Sequence, residues 1–206
     1  SGIRKFFDLA EAMDDVIPLG VGEPDFQTPW HIRQAGINSL QQGKTKYTAN
    51  KGMTELRVEI SEYLNRRFDL EYDSGSEIVV TVGGSEAIDI TLRAFVSPGD
   101  EVLLPEPCFV CYEPLARICG AKVVSIPCSM ENSFKLSAET LKAAITPKSK
   151  LLILPFPNNP TGAIMTGDEL IKIAEVLKDT NIVVLSDEIY AELTYGRKHV
   201  SFASLP

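Results

Sequence analysis

The chain is 206 residues long, 44% hydrophobic and 23% charged, with a formal net charge of −8. That is the balance of a globular protein with room for one substantial core, or a domain and a half. Such acidity excludes nucleic acid and an anionic membrane face as expected partners, and no apolar run is long enough to cross a bilayer.

Roughly the first twenty residues carry no strong period and read as an arm, or as a strand leading into another domain. Asp8 and Glu11 interrupt the one stretch that could form a signal-peptide core, so no such peptide is expected. The leading Ser1-Gly2 reads as a cleavage scar or the start of an excised piece. Residues 31–42 and 53–68 have helical spacing, the second through Leu56, Ile60, Tyr63 and Leu64. Between them, residues 43–52 form a polar loop that holds Tyr47.

From residue 78 the pattern becomes regular. Short β-branched runs at 78–82, 101–104, 122–126, 151–154 and 182–185 are bounded by Gly, Pro, Asp or Asn. Most are too apolar to face water on one side, so they are predicted to be buried strands. Helices are predicted over 85–95, 110–119, 138–144 and 167–178; in the first, Ala87, Ile88, Thr91, Leu92 and Phe95 form an apolar stripe. Strands alternating with helices imply an α/β fold with a mostly parallel sheet covered on both faces. The chain stops soon after its last apolar run, so the domain is expected to be incomplete at its C-terminus.

Four cysteines stand at 108, 111, 119 and 128, the first two as C-x-x-C. A zinc ribbon needs a second such pair, and the histidines, His31 and His199, lie far off in sequence, so no metal site is expected. A redox pair stays open by position alone, but reduced packing thiols are the default expectation.

In an open α/β sheet, ligands bind beyond the carboxyl ends of the strands, and four segments occupy such places. Thr81-Val82-Gly83-Gly84-Ser85-Glu86-Ala87 leads from a strand into a helix. Free amides and the helix dipole suit a phosphate there, with Gly84 allowing close approach and Ser85 adding a hydroxyl; an ordinary glycine turn with a serine cap is the structural alternative. Phe109, within Pro105-Glu106-Pro107-Cys108-Phe109, either lies flat on a heterocycle or is a core aromatic. Asn159, within Pro157-Asn158-Asn159-Pro160-Thr161-Gly162, is either a pre-positioned amide for a phenolic oxygen or part of a plain turn. Asp187, in Ser186-Asp187-Glu188-Ile189-Tyr190, either pairs with a protonated pyridine nitrogen or caps the next helix, with Tyr190 reaching the same ligand. Together the four supply a phosphate cradle, a ring face, a partner for a phenolic oxygen and a partner for a ring nitrogen. That combination fits pyridoxal 5'-phosphate.

On these strings the chain resembles the fold-type I pyridoxal-phosphate enzymes, specifically class I/II aminotransferases of the aspartate aminotransferase kind. The likeness runs from Leu19-Gly20-Val21-Gly22-Glu23-Pro24 to the end of the chain. The resemblance implies that Gly84 and Ser85 cradle the phosphate, Phe109 stacks on the ring, and Asn159 and Tyr190 bond its phenolic oxygen. Asp187 pairs with the ring nitrogen and Gly22 offers a backbone contact to the substrate carboxylate. Tyr47 reaches the phosphate of a neighbouring subunit, which implies a homodimer with shared active sites. By the same likeness residues 1–25 are an arm or part of a small domain, and 26–206 are part of the cofactor-binding large domain.

The implied activity is transfer of an amino group between an amino acid and a 2-oxo acid in the cytoplasm. One departure stands out: the family's Schiff-base lysine lies in a Ser-x-x-Lys segment, and none exists here. Lys198, the sole lysine after Asp187, sits in a polar loop and is a poor substitute, so the 206 residues alone are expected to be inactive. The rivals are a C–S lyase-type or cyclopropane-forming elimination on the same scaffold, a non-catalytic piece that binds cofactor or a partner subunit, and a nucleotide-dependent α/β enzyme.

Overall fold

The computed structural model describes residues 6, 7, 9, 10, 12–15, 17 and 26–206. They divide into two compact units, residues 1–47 and 48–206. In the first, helix α1 (Trp30–Gln41) buries none of its side chains and lays Arg33 over the Trp30 ring at 5.4 Å.

The second unit opens with α2 (Thr54–Phe68), which ends where Asp69 takes the left-handed conformation at φ 57°. Helix α3 (Gly84–Phe95) then leads to a sheet of β1 (Glu101–Glu106), β2 (Lys122–Pro127), β3 (Ser149–Leu154) and β4 (Val183–Ser186). The strands run parallel in the order β2-β1-β3-β4. The crossovers carry α4 (Tyr112–Ile118), α5 (Ala138–Ala144) and α6 (Gly167–Leu177).

Strand period and helix period meet in two apolar layers. Leu103, Leu152 and Leu154 face one way and pack with Leu141 of α5 and Leu170, Ile173 and Leu177 of α6. Their neighbours Val102, Leu104, Leu151 and Ile153 face the other way, onto Ile88 and Leu92 of α3 and Tyr112 and Ala116 of α4. Helix α6 starts on a reciprocal cap: Thr166 Oγ1 accepts the Glu169 N–H at 3.3 Å, and Glu169 Oε2 accepts the Thr166 N–H at 2.7 Å. At the start of β1, Glu101 is 4% exposed, yet accepts from Lys122 Nζ at 2.8 Å and Thr146 Oγ1 at 2.5 Å.

The α/β architecture with a parallel sheet is as expected, and four of the five expected strands form. Residues 78–82 do not. Among the described residues, their one backbone bond to a distant segment is Val80 N–H to the Lys51 carbonyl at 3.1 Å, and Val82 is 91% exposed. A β-branched run becomes a strand by pairing, and among the described residues this one has no partner ladder. The helix expected over 110–119 is shorter, because Phe109–Cys111 is taken up by the turn leaving β1; Pro114 is tolerated inside the first helical turn.

Candidate functional site

The chain moves from β1 out to β2 and back past β1 to β3, so the order in which strands are added reverses between β1 and β3 while all of them stay parallel. Beyond the carboxyl ends at that reversal lies a cavity of about 440 Å³, within the range of small-molecule sites. Gly84, Ser85, Phe109, Asn159, Asp187 and Tyr190, all singled out from the sequence, line it. Of the other two candidates, Tyr47 is fully exposed in the first unit, and Gly22 lies outside the described residues.

The turn into α3 is shaped by Gly83, whose φ of 80° suits glycine, while Glu86 reaches back to the Val82 N–H. The first-turn amides of Gly84, Ser85 and Glu86 have no backbone acceptor among the described residues, and no side chain caps the helix. A Cβ built on Gly84 would meet nothing within 4 Å, so the space beside its Cα is open. Unpaired N–H groups at the positive end of a 12-residue helix form an anion-binding surface.

The two adjacent asparagines differ sharply. Asn158 is 5% exposed and wholly engaged: Nδ2 donates to the Pro107 carbonyl at 3.3 Å, and Oδ1 accepts from the Thr161 N–H at 3.1 Å and Thr161 Oγ1 at 2.8 Å. Asn159 is half-buried, lines the cavity and has no side-chain partner among the described residues. Asn158 braces the loop; Asn159 is free to bind.

Asp187 follows β4, its own N–H continuing the ladder to the Leu154 carbonyl at 3.1 Å. Each carboxylate oxygen has a donor: Oδ2 accepts from Tyr112 Oη at 2.9 Å, and Oδ1 accepts the Ile189 N–H at 3.2 Å. The Ile189 bond is an Asx turn and not a helix cap, the alternative reading of Asp187, and it fixes the carboxylate plane. Burial first, then the Asp187 charge, pushes the Tyr112 phenol above its ordinary range, so it remains a donor at neutral pH. Phe109 meets Tyr112 edge-on, with ring centroids 5.9 Å apart, and is partly exposed to the cavity.

Tyr112 and Glu188 line the cavity but were not singled out as site residues from the sequence; Ile88 and Thr91 were read only as core. Tyr112 stands three residues after Phe109 in the same strand-end segment, and that closeness was the available signal. No lysine lines the cavity among the described residues. Lys198 lies in a separate pocket with Arg67, Glu192 and Arg197. Cys108 is pushed up to about 11 by burial and by Glu106, and burial also raises Cys111; neither thiol has the lowered pKa of a redox nucleophile.

A helix terminus for an anion, an aromatic face, an unpartnered amide and a fixed carboxylate are the donor set for a flat, phosphorylated pyridine, and the residues present fit that group.

The sequence model of "Aminotransferase class I and II" matches residues 14–205. The chain is 44% identical to the aspartate aminotransferase of Pyrococcus abyssi and 41% identical to the aromatic-amino-acid aminotransferase 2 of Thermococcus litoralis. Each match covers 100% of this chain and 53% of that protein. The crystal structure of the aspartate aminotransferase from Rhizobium meliloti superposes with a TM-score of 0.94 at 37% identity, again over 100% of this chain and 53% of that one. The chain thus spans about half the length of the relatives it matches. It belongs to the class I and II aminotransferases, a pyridoxal-phosphate-dependent family.

Proposed function

We propose that this chain supplies the cofactor-binding wall of an aminotransferase that moves an amino group between an amino acid and a 2-oxo acid. What supports this above all is that Asn159, Asp187 and the α3 terminus open onto one cavity. Pyridoxal phosphate, when bound, supplies an electron sink for the substrate's α-carbon. The chain's own groups bind and orient it. The Gly84 and Ser85 amides and the Ser85 hydroxyl take the phosphate, Phe109 covers a ring face, and Asn159 Nδ2 and the Tyr190 hydroxyl donate to the phenolic oxygen. Asp187, held by Tyr112, keeps a proton on the ring nitrogen. Gly22 serves the substrate carboxylate through its backbone.

The proposal extends to a cytoplasmic homodimer in which Tyr47 reaches the neighbouring subunit's phosphate. It also takes 1–25 as an arm or part of a small domain and 26–206 as part of the large domain. The 206 residues include no Ser-x-x-Lys segment, so by themselves they are proposed to bind without turnover.

The test uses the full-length protein carrying these residues, supplied with pyridoxal phosphate, 2-oxoglutarate and a panel of acidic and aromatic amino acids. The expected result is formation of the matching 2-oxo acid in step with glutamate. Release of ammonia without glutamate would instead identify an elimination.

A further inference from the structure

Glu188 sits beside Asp187 in the cavity wall and is the most heavily bonded carboxylate there. Its Oε1 accepts from Ser186 Oγ at 2.8 Å, Ser201 Oγ at 3.0 Å and the Phe202 N–H at 3.0 Å. Its Oε2 pairs with His199 Nε2 at 2.8 Å. The Glu188 side chain is 19% exposed and that of His199 6%. Burial alone would raise this carboxyl; the bonds from His199, Ser186 and Phe202 outweigh it and hold it below the usual range.

These bonds tie the tip of β4 to a segment 11 to 14 residues further on. The tip needs such a tie. After Asp187 the ladder to β3 ends, and the following backbone bonds, Ala191 N–H to the Glu188 carbonyl and Leu193 N–H to the Tyr190 carbonyl, are local. Behind the tie, Phe68 of α2 packs edge-on against the His199 ring at 5.8 Å. Arg67 and Tyr63 of the same helix hold Glu192, with Arg67 Nε and Tyr63 Oη each 2.7 Å from Oε1.

We propose that Glu188 is a positioning residue: fastened to His199, Ser201 and Phe202, it holds the strand tip so that Asp187 meets the ring nitrogen of the bound cofactor. Because both its oxygens are already filled by protein donors, it acts through Asp187 and not on the ligand. The inference rests on the function proposed above.

The test is equilibrium binding of pyridoxamine phosphate, which carries its own amino group and needs no lysine, to the full-length protein and its variants, with urea unfolding measured alongside. Glu188→Gln removes the charge that strengthens all four of these bonds and is expected to weaken binding roughly tenfold while the variant remains folded. In an Asp187→Ala background the same change is expected to alter binding less than about twofold, the non-additivity of residues that act in series. His199→Gln retains a donor and stays within about twofold of wild type, whereas His199→Leu repeats the roughly tenfold loss. These two keep the inference testable if Glu188→Gln does not fold. It is overturned if Glu188→Gln or His199→Leu binds as wild type, or if the Glu188→Gln loss adds in full to that of Asp187→Ala. A wild-type protein that binds no pyridoxamine phosphate refutes the proposed function itself, and that is read before any variant.

Discussion

Replacing Asn158 or Asn159 by alanine should produce opposite phenotypes, although the residues are adjacent and chemically identical. Asn158 is 5% exposed and makes three side-chain hydrogen bonds that close the 157–162 loop onto Pro107 and Thr161. A net hydrogen bond contributes about 1 kcal/mol, and a stranded buried partner costs about 1–3, so Asn158→Ala should lower stability by about 2–4 kcal/mol. Asn159 has no side-chain partner to lose among the described residues, and its alanine variant should unfold within about 0.5 kcal/mol of wild type. It does lose a bond to the cofactor's phenolic oxygen, about 1.5–3 kcal/mol for a charged acceptor, or roughly 10- to 100-fold in affinity. Urea unfolding and pyridoxamine phosphate titration on both variants read the two quantities separately. The reasoning is refuted if Asn159→Ala unfolds markedly earlier than wild type, or if Asn158→Ala matches wild-type stability.

Other consequences concern the frame around the site. Thr166→Ala removes one half of the α6 cap and should cost about 1 kcal/mol in urea unfolding, whereas Thr166→Ser should restore it. With its pKa at about 11, Cys108 should alkylate roughly two orders of magnitude more slowly than a free cysteine near pH 8; peptide mapping of labelled protein reads this, and fast labelling would contradict it. Glu101 is held below the usual carboxylate range by the Lys122 bond first and by Thr146 next. Its folded pKa lies below the unfolded one, so its contribution is present above the ordinary carboxylate value and fades as pH falls through the lowered one. The stability gap between wild type and Glu101→Gln should therefore close on acidification, and a gap that does not change with pH would refute this.

How much was legible in the sequence depended on whether the cause was local. The strands that form could be read because short β-branched, apolar runs bounded by turn residues favour extended backbone wherever a neighbour is there to pair. Residues 78–82 have a similar composition but no ladder to join among the described residues, and composition does not reveal neighbours. Six cavity residues could be named because each lies in a segment with its own turn chemistry, and four of them, Phe109, Asn159, Asp187 and Tyr190, stand past the end of a strand that forms. The division of labour between Asn158 and Asn159 could not be read, since it depends on which amide turns toward Pro107, 51 residues away from Asn158. Tyr112 and Glu188 were missed for the same reason: Tyr112 meets Asp187 across 75 residues, and Glu188 draws its donors from a segment that reads as an undistinguished polar loop.

The most direct measurement is a crystal structure of the protein with pyridoxamine phosphate. The account predicts the phosphate against the first turn of α3, the ring beside Phe109, its nitrogen within hydrogen-bonding distance of Asp187 and its phenolic oxygen at Asn159. A ligand bound outside this cavity, or one whose ring nitrogen faces away from Asp187, would contradict it.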